Sequence, residues 1–308
     1  VALTTKRWWT YQRERFPLFG HGPLVAAFSF CAVAYSSVLR GAGDLPSLAT
    51  WSVAFLTSLA FFMQLRIADE FKDFEEDSRY RPYRPVPRGL VTLQELGTVG
   101  LILAALQLLL ALWFYPPLIA ILLLSWGYLA LMSREFFVRE WLKARPITYM
   151  WTHMLIMPLV DLYATACDWL VAESGRDYAV PHGLFWFLIV SFFNGIVIEI
   201  GRKIRSPQDE EEGVETYSVL WGRRRAVGVW LIALLVNATS AAVAAWQIDF
   251  LWPVVAVLLI LLAAAAIFAW RFLAALEPGG GRRIEQMAGV WTLCMYLSLG
   301  AGPLLWKV

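Results

Sequence analysis

Ala68-Asp69-Glu70-Phe71-Lys72-Asp73-Phe74-Glu75-Glu76-Asp77 holds six carboxylates in ten residues, directly after a long run of apolar side chains. On a continuing helix Asp69 and Asp73 stand one turn apart on one face and Asp77 follows a turn later. Glu70 projects about 100° from Asp69 and shares a heptad-like stripe with Asp73 and Asp77. Like charges at these spacings each destabilise a helix by about 0.2–0.5 kcal/mol, so the cluster calls for something positive. One reading is a solvated charged loop with Lys72 and Arg79 as counter-ions. The other is a divalent cation, above all Mg²⁺ shared with a phosphate, for which carboxylates on successive turns are suitable ligands. The next residues, Arg81-Pro82-Tyr83-Arg84-Pro85-Val86-Pro87-Arg88-Gly89, form a basic, proline-stiffened loop. Arginine forks suit bidentate phosphate contacts, and a cation site beside an anion site is the chemistry of a metal-bound phosphate.

Composition says what must hold these groups. Of 308 residues 59% are hydrophobic and only 16% charged, with 16 Trp, more apolar surface than a soluble domain of this length can bury. The fold class expected is all-α, a polytopic membrane protein. A span needs about 20 residues to cross a hydrocarbon core about 30 Å thick. By that measure nine helices are expected, at 18–39, 48–68, 93–114, 116–133, 147–167, 184–201, 226–246, 250–271 and 286–306. Helices are expected because the bilayer offers backbone groups no partner and the segments lack a barrel's alternation. Pro116-Pro117, Pro253 and Glu277-Pro278-Gly279-Gly280-Gly281 punctuate their ends.

One domain is expected over 1–308, with 1–17 an interfacial segment in which Trp8, Trp9, Tyr11, Arg13 and Arg15 form an anchoring amphipathic helix. No cleavable-signal pattern follows Val1, so the first span is expected to be retained. Cys31, Cys167 and Cys294 lie far apart in apolar surroundings and read as small hydrophobes. The net charge of +2 hides a strong asymmetry along the chain and gives no argument for a nucleic-acid partner. Placing the N-terminus in the cytoplasm, and the C-terminus opposite, puts all 26 basic residues except Arg40, Arg176 and Lys307 on the inner side. The acidic cluster is then cytoplasmic, and Asp161, Asp168, Glu173 and Asp177 belong to an outer segment.

The pattern Asp69-Glu70-x-x-Asp73-x-x-x-Asp77, followed by Arg81-Pro82-Tyr83-Arg84-Pro85, resembles the first signature of the UbiA superfamily of intramembrane prenyltransferases. The resemblance implies a nine-helix bundle with a central cavity open to the cytoplasmic side. It also implies an allylic isoprenyl diphosphate held through Mg²⁺ by two acidic motifs, the second at the inner end of span six. There the chain reads Glu199-Ile200-Gly201-Arg202-Lys203, then Glu211-Glu212-Gly213-Val214-Glu215-Thr216. Where the family commonly has a carboxylate pair, Glu199 is followed four residues on by Lys203. An ordinary i,i+4 ion pair is one reading; the other is a lysine that takes over part of the charge neutralisation, leaving fewer than two tightly bound Mg²⁺ ions. Two charged helix ends four spans apart also hint at an internal repeat.

The metal set expected from motif and resemblance is Asp69, Glu70, Asp73, Asp77 and Glu199. The diphosphate set is Arg15, Arg84, Lys143, Arg145, Arg202 and Lys203; Lys143 and Arg145 occupy the family's place for a phosphate-binding residue, although positive-inside topology alone accounts for much of the Arg134–Arg145 charge. Asp69, Asp73, Lys143 and Lys203 are expected to carry catalysis. Arg66 is read as the partner of Glu70.

Such charges would promote departure of diphosphate, and the carbocation left behind must be kept from water. Trp126, Tyr128, Tyr149, Trp151 and Tyr163 are candidates to line that space, although for any one of them a lipid-facing or packing role is the stronger reading. His153 and Asn194, polar groups inside spans, either orient or deprotonate an acceptor or make helix-packing hydrogen bonds. The expected activity is transfer of an isoprenyl group to an aromatic or other small lipophilic acceptor among membrane lipids. The alternatives are a terpene cyclase that needs no acceptor, or a cation transporter, against which the clustering of carboxylates at one face argues.

Overall fold

A computed structural model describes residues 2–172 and 179–306, and every regular element in them is helical. Glu173, Arg176, Asp177 and Lys307 lie outside the described residues. The helices are α1 (Ala2–Arg15), α2 (Leu18–Leu39), α3 (Leu48–Lys72), α4 (Phe74–Tyr80), α5 (Leu93–Phe114), α6 (Leu118–Ser133), α7 (Arg139–Lys143), α8 (Pro146–Met154), α9 (Ile156–Ala172), α10 (Leu184–Arg202), α11 (Tyr217–Trp221), α12 (Arg223–Trp246), α13 (Leu251–Ala275), α14 (Gly280–Leu299) and α15 (Ala301–Trp306).

Counting α8 and α9 as one, seven are long and apolar enough to cross a membrane: α2, α3, α5, α8–α9, α10, α12 and α13. The chain is an integral membrane protein. The expected segment 116–133 is a helix of 16 residues, and 286–306 is represented by α14 and α15, the former beginning with Arg282, Arg283 and Glu285 in its first turns.

Local chemistry sets the boundaries. Ser47 caps α3 by accepting the Thr50 N–H at 3.1 Å, and Thr92 and Glu95 form a capping box at the start of α5. The break at Leu155 between α8 and α9 has a cause three residues beyond: Pro158 has no N–H to give the Met154 carbonyl. At Gly300, between α14 and α15, an added Cβ would lie 2.4 Å from the Cys31 Cα, so only glycine lets α14 meet α2 there.

The helices close a ring. α2 packs on α3, α3 on α5, α5 on α6, α6 on α9, α9 on α10, α10 on α12, α12 on α13, α13 on α14, and α14 returns to α2. α9 touches α2, α3, α6 and α10 and is buried over most of its length. Polar side chains join neighbours where lipid offers no partner: Gln64 and Trp126 donate to the Gln107 side-chain carbonyl at 3.0 and 2.9 Å, and Gln107 donates to the Thr57 carbonyl at 3.1 Å. Asp161 is not in an outer loop, as the sequence led us to expect, but fully buried in α9, where it accepts the Tyr296 hydroxyl at 2.8 Å. Asp168 is also within α9 and takes the Arg40 guanidinium in two bonds of 2.8 and 2.9 Å and the Ser36 hydroxyl at 2.7 Å.

The helix α1 is pinned to the end of the bundle where α3 finishes and α5 begins. Arg7 pairs with Glu95, Arg88 reaches Glu14 at 3.0 Å, and Tyr11 is buried with Ile67, Val86, Val91 and Leu96. Burial among these side chains pushes the Tyr11 phenol well above its ordinary value.

Candidate active site at the acidic end of the bundle

The helix α3 ends where its charges begin. Asp73 terminates it, giving its N–H to the Asp69 carbonyl at 2.9 Å and taking that of Asp77 at 2.8 Å, so that α4 starts as a new helix. The four motif carboxylates thereby part company. Glu70 and Asp77 turn inward and are buried, at 2% and 1% exposure. Arg15 holds Glu70 at 2.5 Å, and Arg81 and Arg84 hold Asp77 at 2.7 and 2.6 Å. These pairs tie α1 to α3 and the proline-stiffened loop to α4, and removing one member would leave an unmatched buried charge.

Asp69 stays accessible, with Lys72 and Arg66 at 3.6 and 3.7 Å. Arg66 therefore pairs with Asp69 and not, as expected, with Glu70. Burial pushes the Asp73 carboxyl above the ordinary carboxylate range, with Lys72 pulling the other way.

Three loops converge on this end. From the segment after α6, Lys143 donates to Glu76 at 2.6 Å and Arg139 approaches the same carboxylate at 3.7 Å. That lysine holds the Glu76 carboxyl below its usual range. Tyr149 bridges: Lys72 Nζ donates to its hydroxyl at 3.0 Å, and the hydroxyl donates to Glu135 at 3.0 Å. Glu135 is 3% exposed, pairs with Arg139 at 3.0 Å, and opens a turn in which Glu135, Phe136 and Phe137 all have left-handed φ of 47°, 53° and 61°. Three such residues without glycine cost about 1–2 kcal/mol each. Glu135 is not among the residues that the sequence singles out; its one signal is a carboxylate at the end of a span, four residues before Arg139.

From the loop after α10, Glu211 accepts the Tyr83 hydroxyl at 3.3 Å, and Gly213, with φ of +74°, lies against the Tyr80 ring. The loops that follow α3 and α10 are therefore in contact. At the end of α10 itself Glu199 is 8% exposed and held by both Arg202, at 2.5 Å, and Lys203, at 3.0 Å. Lys203 also lies over the Tyr217 ring, 5.4 Å from its centre.

Other predicted residues are placed differently. Arg145 stacks on Trp141 at 4.4 Å and donates to the Trp141 carbonyl at 3.1 Å. Asn194 accepts from Asn237 at 3.3 Å, a bond between α10 and α12. His153 stacks on Tyr149 with ring centres 4.0 Å apart, its Nδ1 bonded to the Tyr149 carbonyl at 2.8 Å. Tyr128 donates to the Thr152 carbonyl at 2.6 Å, Trp126 belongs to the glutamine network, Tyr163 is fully buried, and Trp151 packs edge-on against Phe192.

Two hollows open at this end. One of about 330 Å³ lies beside Phe71, Lys72, Arg134, Glu135 and Arg139, and one of about 380 Å³ beside Arg205, Asp209, Glu211, Gly279 and Arg282.

A model of the UbiA prenyltransferase family matches residues 23–302. The chain belongs to the UbiA prenyltransferase family. None of the curated proteins matches its sequence. Among solved structures, the fold is similar to the apo structure of a UbiA homologue from Aeropyrum pernix K1, with a TM-score of 0.67 and 11% identity over 92% of this chain and 98% of that one. It is also similar to a structure described for the biosynthesis of digeranylgeranylglyceryl phosphate synthase in membranes, with a TM-score of 0.62 and 13% identity over 97% and 99% of the two chains.

UbiA prenyltransferases generally use Mg²⁺, and the side chains here can be tested against that ion. Among the described residues no three acidic, histidine or cysteine side chains converge as a metal cage. Mg²⁺ does not need one, since it commonly binds one or two carboxylates and completes its shell with phosphate oxygens and water. Asp69 and Asp73 fit that requirement. Glu70 and Asp77 are committed to arginines, and Glu199 to two cations of its own helix end.

Proposed function

We propose that the chain transfers an isoprenyl group, with Mg²⁺, from an allylic isoprenyl diphosphate to a small lipophilic or aromatic acceptor. The observation that carries this reading is the contact between the loops after α3 and α10, which joins an accessible acidic helix end to a basic one. A transporter's ion ligands would be expected near the bilayer midplane instead.

In this reading nine helices span the membrane, with α6 as the fourth and α14–α15 as the ninth. The N-terminus and the charged end face the cytoplasm, following the distribution of Lys and Arg. Asp69 and Asp73 would hold Mg²⁺, which when bound would supply positive charge against that growing on the departing diphosphate. Lys143, Arg202 and Lys203 donate to its oxygens; Lys143 must first exchange Glu76 for the substrate. Arg15 and Arg84 are removed from the expected phosphate set and act as pegs that fix Glu70 and Asp77. Arg145, stacked on Trp141, reaches diphosphate only by leaving that ring.

The allylic C–O bond breaks with its electron pair going to the diphosphate. The apolar bundle excludes water from the cation that remains, and the ring of Tyr128 can stabilise it by about 0.5–2 kcal/mol, whereas Tyr149 already has His153 stacked on it and the Lys72 ammonium over it. The acceptor supplies the electron pair for the new bond and gives up a proton, which the released diphosphate can take. That a protein of similar fold is a digeranylgeranylglyceryl phosphate synthase acting in membranes supports a lipophilic acceptor.

The test is diphosphate release from geranylgeranyl diphosphate by the full chain in lipid nanodiscs. Release that needs both Mg²⁺ and a lipid-extract acceptor is expected. Release without acceptor would favour cyclisation, and metal flux into liposomes without any diphosphate release would favour transport.

A further inference from the structure

The two charged helix ends are not equivalent. At the end of α3, where arginines take Glu70 and Asp77, two carboxylates lie outside those pairs: Asp73, and Asp69, which has Lys72 and Arg66 at the longer distances of 3.6 and 3.7 Å. At the end of α10 a single carboxylate faces two cations, so Glu199, Arg202 and Lys203 together carry one net positive charge. Glu199 Oε2 receives Nε and Nη2 of Arg202 at 2.6 and 2.5 Å, while Oε1 receives Lys203 at 3.0 Å. Both carboxylate oxygens are thus occupied by charge-assisted hydrogen bonds, and a metal ion could reach them only by displacing two cations from a buried group.

Donors remain for a ligand. A guanidinium has five N–H groups and an ammonium three, so after these bonds Arg202 keeps three and Lys203 two. The side chains are 44% and 35% exposed, so the remaining donors are accessible. The pairing with Glu199 and the Tyr217 ring beneath Lys203 hold them in place. Arg202 is also within electrostatic reach of Asp69 across the site.

We propose that the inner end of α10 is a metal-independent anion subsite, in which Arg202 and Lys203, splayed on Glu199, bind diphosphate oxygens directly, so that the centre holds a single Mg²⁺ on Asp69 and Asp73. This rests on the diphosphate reading above. A diphosphate then lies between a divalent ion on one side and fixed cations on the other, and Glu199 is a positioning residue.

Metal stoichiometry tests it. The full chain in nanodiscs is titrated with Mn²⁺ in the presence of inorganic pyrophosphate, and bound Mn²⁺ is counted by electron paramagnetic resonance. One pyrophosphate-dependent Mn²⁺ per chain is expected, and two would overturn the inference while leaving the diphosphate reading intact. Glu199→Gln should still bind one; loss of a Mn²⁺ in that variant would make Glu199 a ligand and overturn the inference. In a metal-free titration Lys203→Gln and Arg202→Gln should each weaken pyrophosphate binding at least tenfold, and unchanged affinity in both would contradict the subsite. Absence of any pyrophosphate-dependent binding by the unaltered chain would instead remove the diphosphate reading itself.

Discussion

Tyr83 donates its hydroxyl to Glu211 at 3.3 Å, across a sequence separation of 128 residues, and so joins the loops that follow α3 and α10. The same junction is closed by Gly213, where an added Cβ would sit 2.4 Å from the Tyr80 ring.

Gly213→Ala is therefore the variant that separates the loops. It adds a clash to a left-handed residue, at a conformational cost of about 1–2 kcal/mol. Pyrophosphate affinity in the presence of Mg²⁺ should fall at least tenfold, measured by calorimetry on protein that remains monodisperse. Tyr83→Phe removes one exposed hydrogen bond and should change it less than threefold.

Tyr149→Phe removes the hydroxyl between Lys72 and Glu135. Hydrogen bonds to charged groups contribute about 1.5–3 kcal/mol each when one partner is lost, so the melting temperature should fall clearly. Mg²⁺-dependent pyrophosphate binding should fall less than threefold, because Asp69 and Asp73 are untouched. A large loss of affinity with no thermal effect would make Tyr149 a ligand and not a brace.

Asp73 sets a pH dependence. Its carboxyl titrates above the ordinary range because it is half-buried and partly desolvated, and protons compete with Mg²⁺ for it. Mg²⁺-dependent pyrophosphate affinity should be full above that raised value and fall as the pH drops through it, before an ordinary carboxylate at about 3.9 would protonate. Stability runs the other way for this group: the folded chain binds the proton more readily than the unfolded chain, so acidification through the raised value stabilises, and the gain is complete below about 3.9. Calorimetric titrations across pH should show the fall in affinity, and Asp73→Asn should abolish it; an identical step in that variant would assign the titration elsewhere.

Arg40 and Asp168 provide a control at the opposite end. Their two-bond pair is mostly shielded, with side-chain exposures of 19% and 14%, and Arg40→Ala leaves Asp168 with the Ser36 hydroxyl. Breaking one member of a buried pair costs about 3–5 kcal/mol, less at this partial exposure. The melting temperature should drop while pyrophosphate affinity is unchanged.

Hydropathy and helix punctuation made the long helices legible, because crossing lipid constrains length and composition over some twenty residues at a time. The helix α3 was expected at 48–68 and runs to Lys72, since its last turn is polar and gives no hydropathy signal. Leu155 divides an expected span through the effect of Pro158, which lies within the apolar stretch. The charge of Asp161 points to a loop, yet the residue lies inside α9, where Tyr296, 135 residues away, donates to it. The acidic cluster could be found from spacing, but not which carboxylates face the site. Glu70 and Asp77 are withdrawn by Arg15, Arg81 and Arg84, and pairings of this kind are set by how α1 and the proline loop pack. The left-handed turn at Glu135 is invisible for a further reason: no glycine or asparagine marks it.

Native mass spectrometry after incubation with geranylgeranyl diphosphate and Mg²⁺ tests the central claim most directly. The full chain should carry one isoprenyl diphosphate, and Asp73→Ala should lose it while Arg40→Ala retains it. Equal retention by folded Asp73→Ala, or no adduct on the unaltered chain, would contradict the account.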